Sequence, residues 1–403
     1  MDSKAALARL QRAPWLKSAQ PFFACLDGAS GKTRAVGGIV RDTLLGLKDA
    51  RSDIDLASEL TPEIVEERGR AAGMSVYPTG ADHGTMTLVH GGCAAEVTTL
   101  RRDMETFGRK AKVVFGTDWV EDARRRDFTM NALYCGQDGA LFDPLGGLDD
   151  CLAGRVLFIG DPDTRIVEDK LRVYRYFRFV VSHGNQQFDD AAIAACGRAA
   201  GSLAALSAER VGREMTRLLA HRYCAATVSQ MAALDILPAK FVSPQALVAL
   251  GQLERYSASR DGDMRIALMG MSGAELARLR QNWRLSNKTM ARVDLLTSAA
   301  RLARKGKIAE LVYRYRSEWS SGLVLAAALE GKNEDWLTAQ LAIASAFYPG
   351  HFPLSGADLV SKGYRPGPAL GAELKRLETL WIASIFGLDR EALLALCRPA
   401  DDQ

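Results

Sequence analysis

Two aspartates in the sequence have the spacing of a metal site. Asp53 and Asp55 stand two residues apart in a short apolar segment that has the character of a β-strand. Because successive side chains of a strand point to opposite faces, residues at i and i+2 share one face. Two neighbouring carboxylates repel each other unless a divalent cation lies between them. The pair therefore predicts a Mg²⁺ site of the kind used in two-metal phosphoryl transfer, although a solvated edge strand can carry the same spacing.

Glu96 is a candidate for a third carboxylate at this site. It lies between Ala95 and Val97 in a later apolar segment that also has strand character. The residue types nearby equally allow an ion pair of Glu96 with Arg101 or Arg102. A catalytic carboxylate and a structural ion pair both stay open for Glu96 at this stage.

A glycine pair stands about 15 residues before the aspartates. Gly37 and Gly38 lie between a predicted strand and the start of a predicted helix. Glycine at such a turn lets a phosphate approach free backbone N–H groups at the positive end of the helix. Arg41 is close enough along the helix to bind the same phosphate through two N–H groups. A tight turn with an Arg–Asp surface pair is the alternative, and the nearby aspartates favour the phosphate site.

An arginine-rich segment, Arg124–Leu133, adds candidate nucleotide ligands. Three arginines before an apolar stretch are ordinarily a solvated face. With a metal site upstream, Arg126 becomes a candidate for binding a triphosphate, and Asp127 or Asn131 for binding a ribose.

A second group of charged residues has helical spacing. The pattern predicts a helix that places Asp169, Arg172 and Arg175 on one face. On its own this spacing is typical of a helical salt bridge. Its meaning depends on the motifs before it.

The elements that must position these residues divide the chain near residue 150. Strand patterns alternate with helices before that point, and Ala, Leu and Arg at helical spacing dominate after it. The predicted strands are 34–36, 54–56, 74–77, 84–89, 96–100 and 132–134. The predicted helices include 39–45, one opened by Thr61-Pro62, 166–179, 189–200 and 208–220. The polar segment 101–118 is predicted to be a loop, either mobile over a site or an ordinary surface loop.

Composition excludes several classes of protein. The 403 residues are 48% hydrophobic and 25% charged, as in globular chains of two or three domains. No apolar run approaches the roughly 18 residues of a membrane-spanning helix.

Seven scattered cysteines without a CxxC pair indicate neither a zinc ribbon nor a disulfide framework. The start of the chain lacks an apolar signal segment, so we expect a cytoplasmic protein. A net charge of +4 allows nucleic-acid binding without establishing it.

Taken in order, the motifs resemble those of a known family. They are Val36–Asp42, the Asp53/Asp55 pair, Arg125–Leu133, Glu168–Arg172 and Glu209–Glu214. This series resembles motifs A to E of class II tRNA nucleotidyltransferases, the bacterial CCA-adding enzymes of the polymerase-β superfamily. Bacterial poly(A) polymerases are close relatives of that family. The motifs span about 180 residues, and the C-terminal half carries none that we can match.

The resemblance implies an α+β fold, in which a polymerase-β-type nucleotidyltransferase head precedes an all-α neck, body and tail. We expect an N-terminal helix at 1–22, the head at 23–149, the neck at 150–235, and a tRNA-binding body and tail at 236–403. The implied activity is the addition of C, C and A from CTP and ATP to the 3′ end of tRNA, without a membrane partner. The oligomeric state is left open.

The resemblance also assigns roles to the candidate residues. It implies that Asp53 and Asp55 hold Mg²⁺. It implies nucleotide contacts with Gly37, Gly38, Arg41, Arg126 and Asp127. It also implies that Asp169 and Arg172 form a protein template for the base, with Arg175 nearby. The chemistry of this pair fits the selection of C and A, because a carboxylate accepts hydrogen bonds and a guanidinium donates them. Cytosine and adenine each present an amino donor beside a ring acceptor, whereas uracil and guanine present the reverse order.

Three alternatives remain. A poly(A) polymerase shares every motif, but the basic signature expected soon after its metal motif is not found, and Gly80–Thr85 is more like the CCA branch. An enzyme that adds only CC or only A is possible, because loop details separate these activities. We hypothesise that Arg109 of the 101–118 segment acts in A addition. The remote alternative is a non-catalytic RNA-binding factor. The Asp53/Asp55 pair argues against it, because a protein that only binds RNA has no need of a metal pair.

Overall fold

The computed structural model describes residues 2–47, 54–80, 84–103, 113–238, 241–257, 259–271 and 273–398. The chain divides into two compact units. The first comprises Met1–Leu206 with Leu234–Ile236, and the second comprises Ser207–Ala233 with Leu237–Gln403.

The first unit contains all the strands of the described residues. They are β1 (Thr33–Val36), β2 (Ile54–Ser58), β3 (Ser75–Gly80), β4 (Thr85–His90), β5 (Cys93–Thr99), β6 (Arg101–Asp103), β7 (Val113–Phe115), β8 (Tyr134–Cys135) and β9 (Leu141–Phe142). Its helices are α1 (Ser3–Gln11), α2 (Pro14–Cys25), α3 (Gly38–Leu45), α4 (Pro62–Ala71), α5 (Trp119–Arg124), α6 (Leu148–Ala153), α7 (Pro162–Glu168), α8 (Arg172–His183) and α9 (Asp190–Ala199). Short 3₁₀ turns occur at Gly28–Ser30, Thr129–Asn131 and Ala200–Ala205.

Seven of these strands form one mixed sheet among the described residues, in the order β3-β4-β5-β2-β1-β8-β9. The β2–β5 pair is parallel, and the other pairs are antiparallel. β2 and β1 lie at the centre, so the turn after β1 and the start of β2 are neighbours in space. The sheet therefore brings two separate motifs of the sequence to one region.

Buried apolar residues explain why the helices pack as they do. In α8, Val173, Tyr176, Phe177 and Val180 are all buried and recur at i, i+3, i+4 and i+7. This spacing places them on one stripe that faces the interior. Tyr176 stacks on Phe158 with the ring centroids 5.6 Å apart. The opposite side of α8 carries its arginines.

The prediction of a loop over 101–118 is wrong for residues 101–103 and 113–115, and residues 116–118 are irregular as predicted. Residues 101–103 and 113–115 pair as the antiparallel strands β6 and β7, with Arg101 opposite Phe115. The β-branched and aromatic residues of 113–115 favour a strand, and the surrounding polar composition obscures that signal. Arg109 lies outside the described residues.

In the part of the chain that the structure describes, the second unit consists of helices joined by turns. They are α10 (Ala208–Leu219), α11 (Ala225–Ala233), α12 (Pro244–Tyr256), α13 (Gly262–Met269), α14 (Gly273–Trp283), α15 (Asn287–Arg304), α16 (Ile308–Arg314), α17 (Trp319–Glu330), α18 (Glu334–Ser345), α19 (Gly356–Ser361), α20 (Pro368–Ala383) and α21 (Arg390–Ala395). The predicted change from a mixed to a helical region is confirmed. No helix among the residues that the structure describes has the length and hydropathy needed to cross a membrane.

Candidate active site

The candidate metal site is built on the parallel pair β2 and β5. Asp55 of β2 is in register with Glu96 of β5. Because registered residues of neighbouring strands point to the same face, the two side chains are neighbours there. Asp55 is half-buried and Glu96 is exposed, whereas Ile54 and Leu56 are buried. Two carboxylates on adjacent strands supply the hard oxygen ligands that suit Mg²⁺.

Asp53, the other predicted metal ligand, lies outside the described residues. Within the described ranges, no group of three or more His, Cys, Asp or Glu side chains has the geometry of a metal site. The roles of Asp53, Asp55 and Glu96 stay predictions that the donor chemistry of the described pair supports.

The glycine turn lies between β1 and α3, as the sequence predicts. Gly37 has φ 72° and ψ −128°, which is readily adopted only by glycine, and it is the N-cap of α3. A Cβ on Gly37 would lie 3.9 Å from Nη1 of Arg126, and a Cβ on Gly38 would lie 3.7 Å from Nη2 of Arg41. Two guanidinium groups therefore flank the turn at the positive end of a helix, which is a suitable environment for an anion.

Arg41 is held by three neighbours. Its Nε donates to Oδ1 of Asp42 at 2.7 Å, and its Nη1 donates to Oδ1 of Asn131 at 2.5 Å. Its guanidinium lies 5.0 Å from the ring centroid of Phe179. The Arg41–Asp42 pair that the sequence suggested for the surface is thus largely buried, with the arginine side chain 8% exposed.

Arg126 is oriented by two residues that the sequence analysis missed. Asp122 accepts from Nη2 of Arg126 at 3.2 Å, and the hydroxyl of Tyr134 accepts from Nε at 3.1 Å. Burial acts to raise the pKa of Asp122, but Arg126, Arg125 and Tyr134 outweigh it and lower the pKa. Burial and the Asp122 carboxylate raise the pKa of Tyr134, so its hydroxyl stays protonated. The i, i+4 spacing of Asp122 and Arg126 is the one sequence signal that could have predicted their ion pair. Nothing in the local sequence indicates the contact with Tyr134.

The carboxylate of Asp127 is shared by several protein donors. Its Oδ2 accepts from Nε and Nη2 of Arg175 at 2.8 and 2.5 Å. Its Oδ1 accepts from the backbone N–H of Phe128 and from Nδ2 of Asn131, both at 2.9 Å. Although burial acts to raise the pKa of Asp127, Arg175 and Asn131 lower it overall. These contacts fix Arg175 beside Phe179, 5.6 Å from the ring centroid; ribose contacts of Asp127 or Asn131 stay predictions.

The prediction that Asp169 and Arg172 share one helix is wrong. α7 ends at Glu168, Asp169 is extended with φ −147° and ψ 102°, and α8 begins at Arg172. The helix is interrupted because Oδ1 of Asp169 accepts the N–H of Leu171 at 3.0 Å, a local bond that competes with helical pairing. The N–H of Arg172 donates to the carbonyl of Asp169 at 3.0 Å. A tight turn, and not a helix face, therefore sets the spacing of these two residues.

Known proteins resemble both the head and the whole chain. A family model for the head domain of poly(A) polymerase matches residues 33–157. A mitochondrial CCA tRNA nucleotidyltransferase 1 of Danio rerio is 30% identical over 392 residues, covering 90% of this chain and 86% of the relative. A CCA-adding enzyme of Lacticaseibacillus paracasei is 30% identical over 393 residues, covering 95% and 96%.

Solved structures agree with these relatives. The CCA-adding enzyme of Bacillus stearothermophilus in complex with CTP is 25% identical, with a TM-score of 0.73 over 94% of this chain and 96% of that one. The Thermotoga maritima CCA-adding enzyme complexed with tRNA is 18% identical and shares the fold, with a TM-score of 0.68 over 98% of both chains.

Proposed function

Since the chain belongs to the family of CCA-adding tRNA nucleotidyltransferases, we propose that it adds C, C and A from CTP and ATP to the 3′ end of tRNA with release of pyrophosphate. The predicted family and the α+β fold with a polymerase-β-type head are confirmed. The observation that carries the mechanism is the Gly37–Gly38 turn flanked by the guanidinium groups of Arg41 and Arg126.

We assign the triphosphate to this turn. The N–H groups in the first turn of α3, which have no acceptor within the helix, and the two guanidinium groups offer fixed donors for phosphate oxygens. Asp42 and Asn131 orient Arg41, and Asp122 and Tyr134 orient Arg126, so these donors need little rearrangement as charge develops on the departing pyrophosphate.

The reaction is an in-line displacement. The 3′-hydroxyl oxygen of the tRNA forms a bond to the α-phosphorus as the bond from that phosphorus to the pyrophosphate oxygen breaks, and the hydroxyl proton passes to water. Asp53 and Asp55, with Glu96 on the neighbouring strand, would hold Mg²⁺. An ion held there would activate the hydroxyl and neutralise phosphate charge. The carboxylates are thus assigned to the attacking hydroxyl, and Arg41 and Arg126 are assigned to the leaving pyrophosphate.

Base selection is assigned to Asp169 and Arg172. A carboxylate acceptor beside a guanidinium donor complements the amino group and ring nitrogen of cytosine or adenine. With uracil or guanine, donors face donors and acceptors face acceptors, and a mismatch of this kind costs roughly 1–3 kcal/mol per bidentate contact. Arg175 lies one turn further along α8, where its Nε and Nη2 donate to Oδ2 of Asp127.

The predicted domains complete the proposal. The head at 23–149 follows the N-terminal segment 1–22, the neck at 150–235 carries the template, and the body and tail at 236–403 bind tRNA. Each of the seven cysteines has a free thiol among the described residues. Free thiols are typical of a reducing compartment, which supports a cytoplasmic location.

Transcripts of one tRNA provide the test. Substrates ending at the discriminator base, after C and after CC would each be incubated with CTP, ATP or both, and the products sized to the nucleotide. Addition of C, C and one A, followed by a stop, is expected. Long A tails would indicate a poly(A) polymerase, a stop at CC or use of CC ends alone would indicate a partial enzyme, and tight binding without incorporation would indicate a non-catalytic RNA-binding factor.

A further inference from the structure

Arg165 is a buried arginine on α7 that none of the motifs includes. It is 8% exposed, although its side chain is charged and would ordinarily lie in water. Burial and the neighbouring Arg172 guanidinium both lower the pKa of Arg165, and Glu168 opposes them. A guanidinium buried beside a second one is unfavourable unless acceptors surround it.

Those acceptors come from two parts of the candidate site. Nη2 of Arg165 donates to the backbone carbonyls of Arg125 and Arg126, each at 2.6 Å. Nη1 donates to Oε2 of Glu168 at 2.5 Å. Arg165 thus links the backbone of the triphosphate-binding segment to the end of α7, across about 40 residues of sequence.

Arg172 shares two of these acceptors. Its Nη1 donates to Oε2 of Glu168 at 2.6 Å and to the carbonyl of Arg165 at 2.7 Å, and its Nη2 lies 3.3 Å from the carbonyl of Arg125. The two guanidinium groups therefore share one carboxylate oxygen and one carbonyl. Because the two guanidinium groups repel each other where they meet at Oε2 of Glu168, the position of Arg165 sets where Arg172 can lie.

We propose that Arg165 is a positioning residue for base selection, which holds Arg172 at a fixed place relative to Arg126. The inference rests on the proposed function, since it concerns the same nucleotide. The planar guanidinium is needed because it reaches two carbonyls and a carboxylate from one plane, which the point charge of a lysine cannot do. Without it, Glu168 and Arg172 can shift together, and the template loses its register with the bound triphosphate.

The test measures nucleotide discrimination, a quantity that a purely structural role would not change. Single additions to tRNA ending after C would be timed with CTP and with UTP for wild type, Arg165→Lys and Glu168→Gln. We expect the ratio of kcat/KM for CTP to that for UTP to fall about tenfold or more in both variants. Arg198→Lys is the matched control, because Arg198 forms an exposed ion pair with Asp163 in the same unit.

The outcomes separate the inference from the proposed function. If wild type does not incorporate C from CTP, the proposed function fails. If wild type is active and Arg165→Lys, shown to be folded by its thermal unfolding, discriminates as well as Arg198→Lys, the inference is overturned. Should Arg165→Lys not fold, Glu168→Gln decides. Its side chain is 45% exposed, so folding is expected, and unchanged discrimination there would equally overturn the inference.

Discussion

The carboxylate of Asp122 holds Arg126 from the protein interior. Oδ2 of Asp122 accepts from Nη2 and Nε of Arg126 at 3.2 and 3.3 Å, and the aspartate side chain is completely buried. Because these contacts occupy the inner side of the guanidinium, Nη1 is the nitrogen that approaches Gly37. A buried acid thus determines which nitrogen of this arginine faces the glycine turn that we propose as the triphosphate site.

Replacing Asp122 with asparagine is expected to destabilise the protein by about 3 kcal/mol at pH 7, because two arginines lose a buried counter-charge. The folded-state pKa of Asp122 is lowered from its ordinary value of 3.8. Its stabilising effect is therefore present above that value and is lost as the pH falls through the folded-state pKa. Urea unfolding from pH 7 downward should show the difference between wild type and Asp122→Asn shrinking below about pH 4.

The exposed Asp149 of α6 provides the control for this series. Asp149→Asn should change the free energy of unfolding by no more than about 0.5 kcal/mol at any pH. A difference between wild type and Asp122→Asn that stays constant down to about pH 2 would contradict the electrostatic explanation.

Tyr134→Phe removes one hydroxyl from the same cluster. The hydroxyl donates to Asp122 at 2.8 Å and accepts from Arg126, so its loss leaves both groups less well paired and is expected to destabilise by about 1–2 kcal/mol. We expect a several-fold rise in KM for CTP and ATP with a smaller change in kcat. Steady-state kinetics beside Tyr77→Phe, which alters an exposed tyrosine of β3, would check this; equal KM values in the two variants would refute it.

Local signals explain which parts of the site were predictable. The Gly37 turn was found because glycine between a strand and a helix is a short-range pattern. The Asp169–Arg172 spacing was assigned to one helix because periodicity alone cannot reveal that the Asp169 carboxylate binds the N–H of Leu171. Arg165 gave no signal, since two of its acceptors are carbonyls 39 and 40 residues away.

Gly212 in the fifth motif is predicted to serve packing. A Cβ there would lie 1.9 Å from the carbonyl oxygen of Trp283 and 2.6 Å from its carbon, both backbone atoms of the second unit. Gly212→Ala should therefore destabilise this unit by about 3 kcal/mol, as measured by urea unfolding. Gly251→Ala in α12 is the control, because its Cβ would enter open space and alanine favours a helix by up to about 1 kcal/mol. Similar unfolding curves for the two variants would rule out the packing role.

Gly38→Ala separates nucleotide binding from stability. A Cβ there would lie 3.7 Å from Nη2 of Arg41, an ordinary contact, so the thermal unfolding temperature should hardly change. The methyl group would, however, occupy the surface where the phosphate approaches, and KM for both nucleotides should rise about tenfold or more. Unchanged KM in a folded Gly38→Ala protein would mean that the triphosphate does not approach this turn.

Glu96→Gln tests whether the β5 carboxylate serves catalysis. Glu96 is exposed and in register with Asp55, so the isosteric amide should leave the fold intact while removing one negative charge from the predicted metal site. We expect kcat for C addition to fall about a hundredfold with little change in KM for CTP, and the Mg²⁺ concentration needed for half-maximal rate to rise. Glu66→Gln is the control, because Glu66 pairs with Arg70 on the exposed face of α4. A loss below about threefold in Glu96→Gln, with the same Mg²⁺ dependence as the control, would place this carboxylate outside the reaction and leave Asp53 and Asp55 as the only metal ligands proposed.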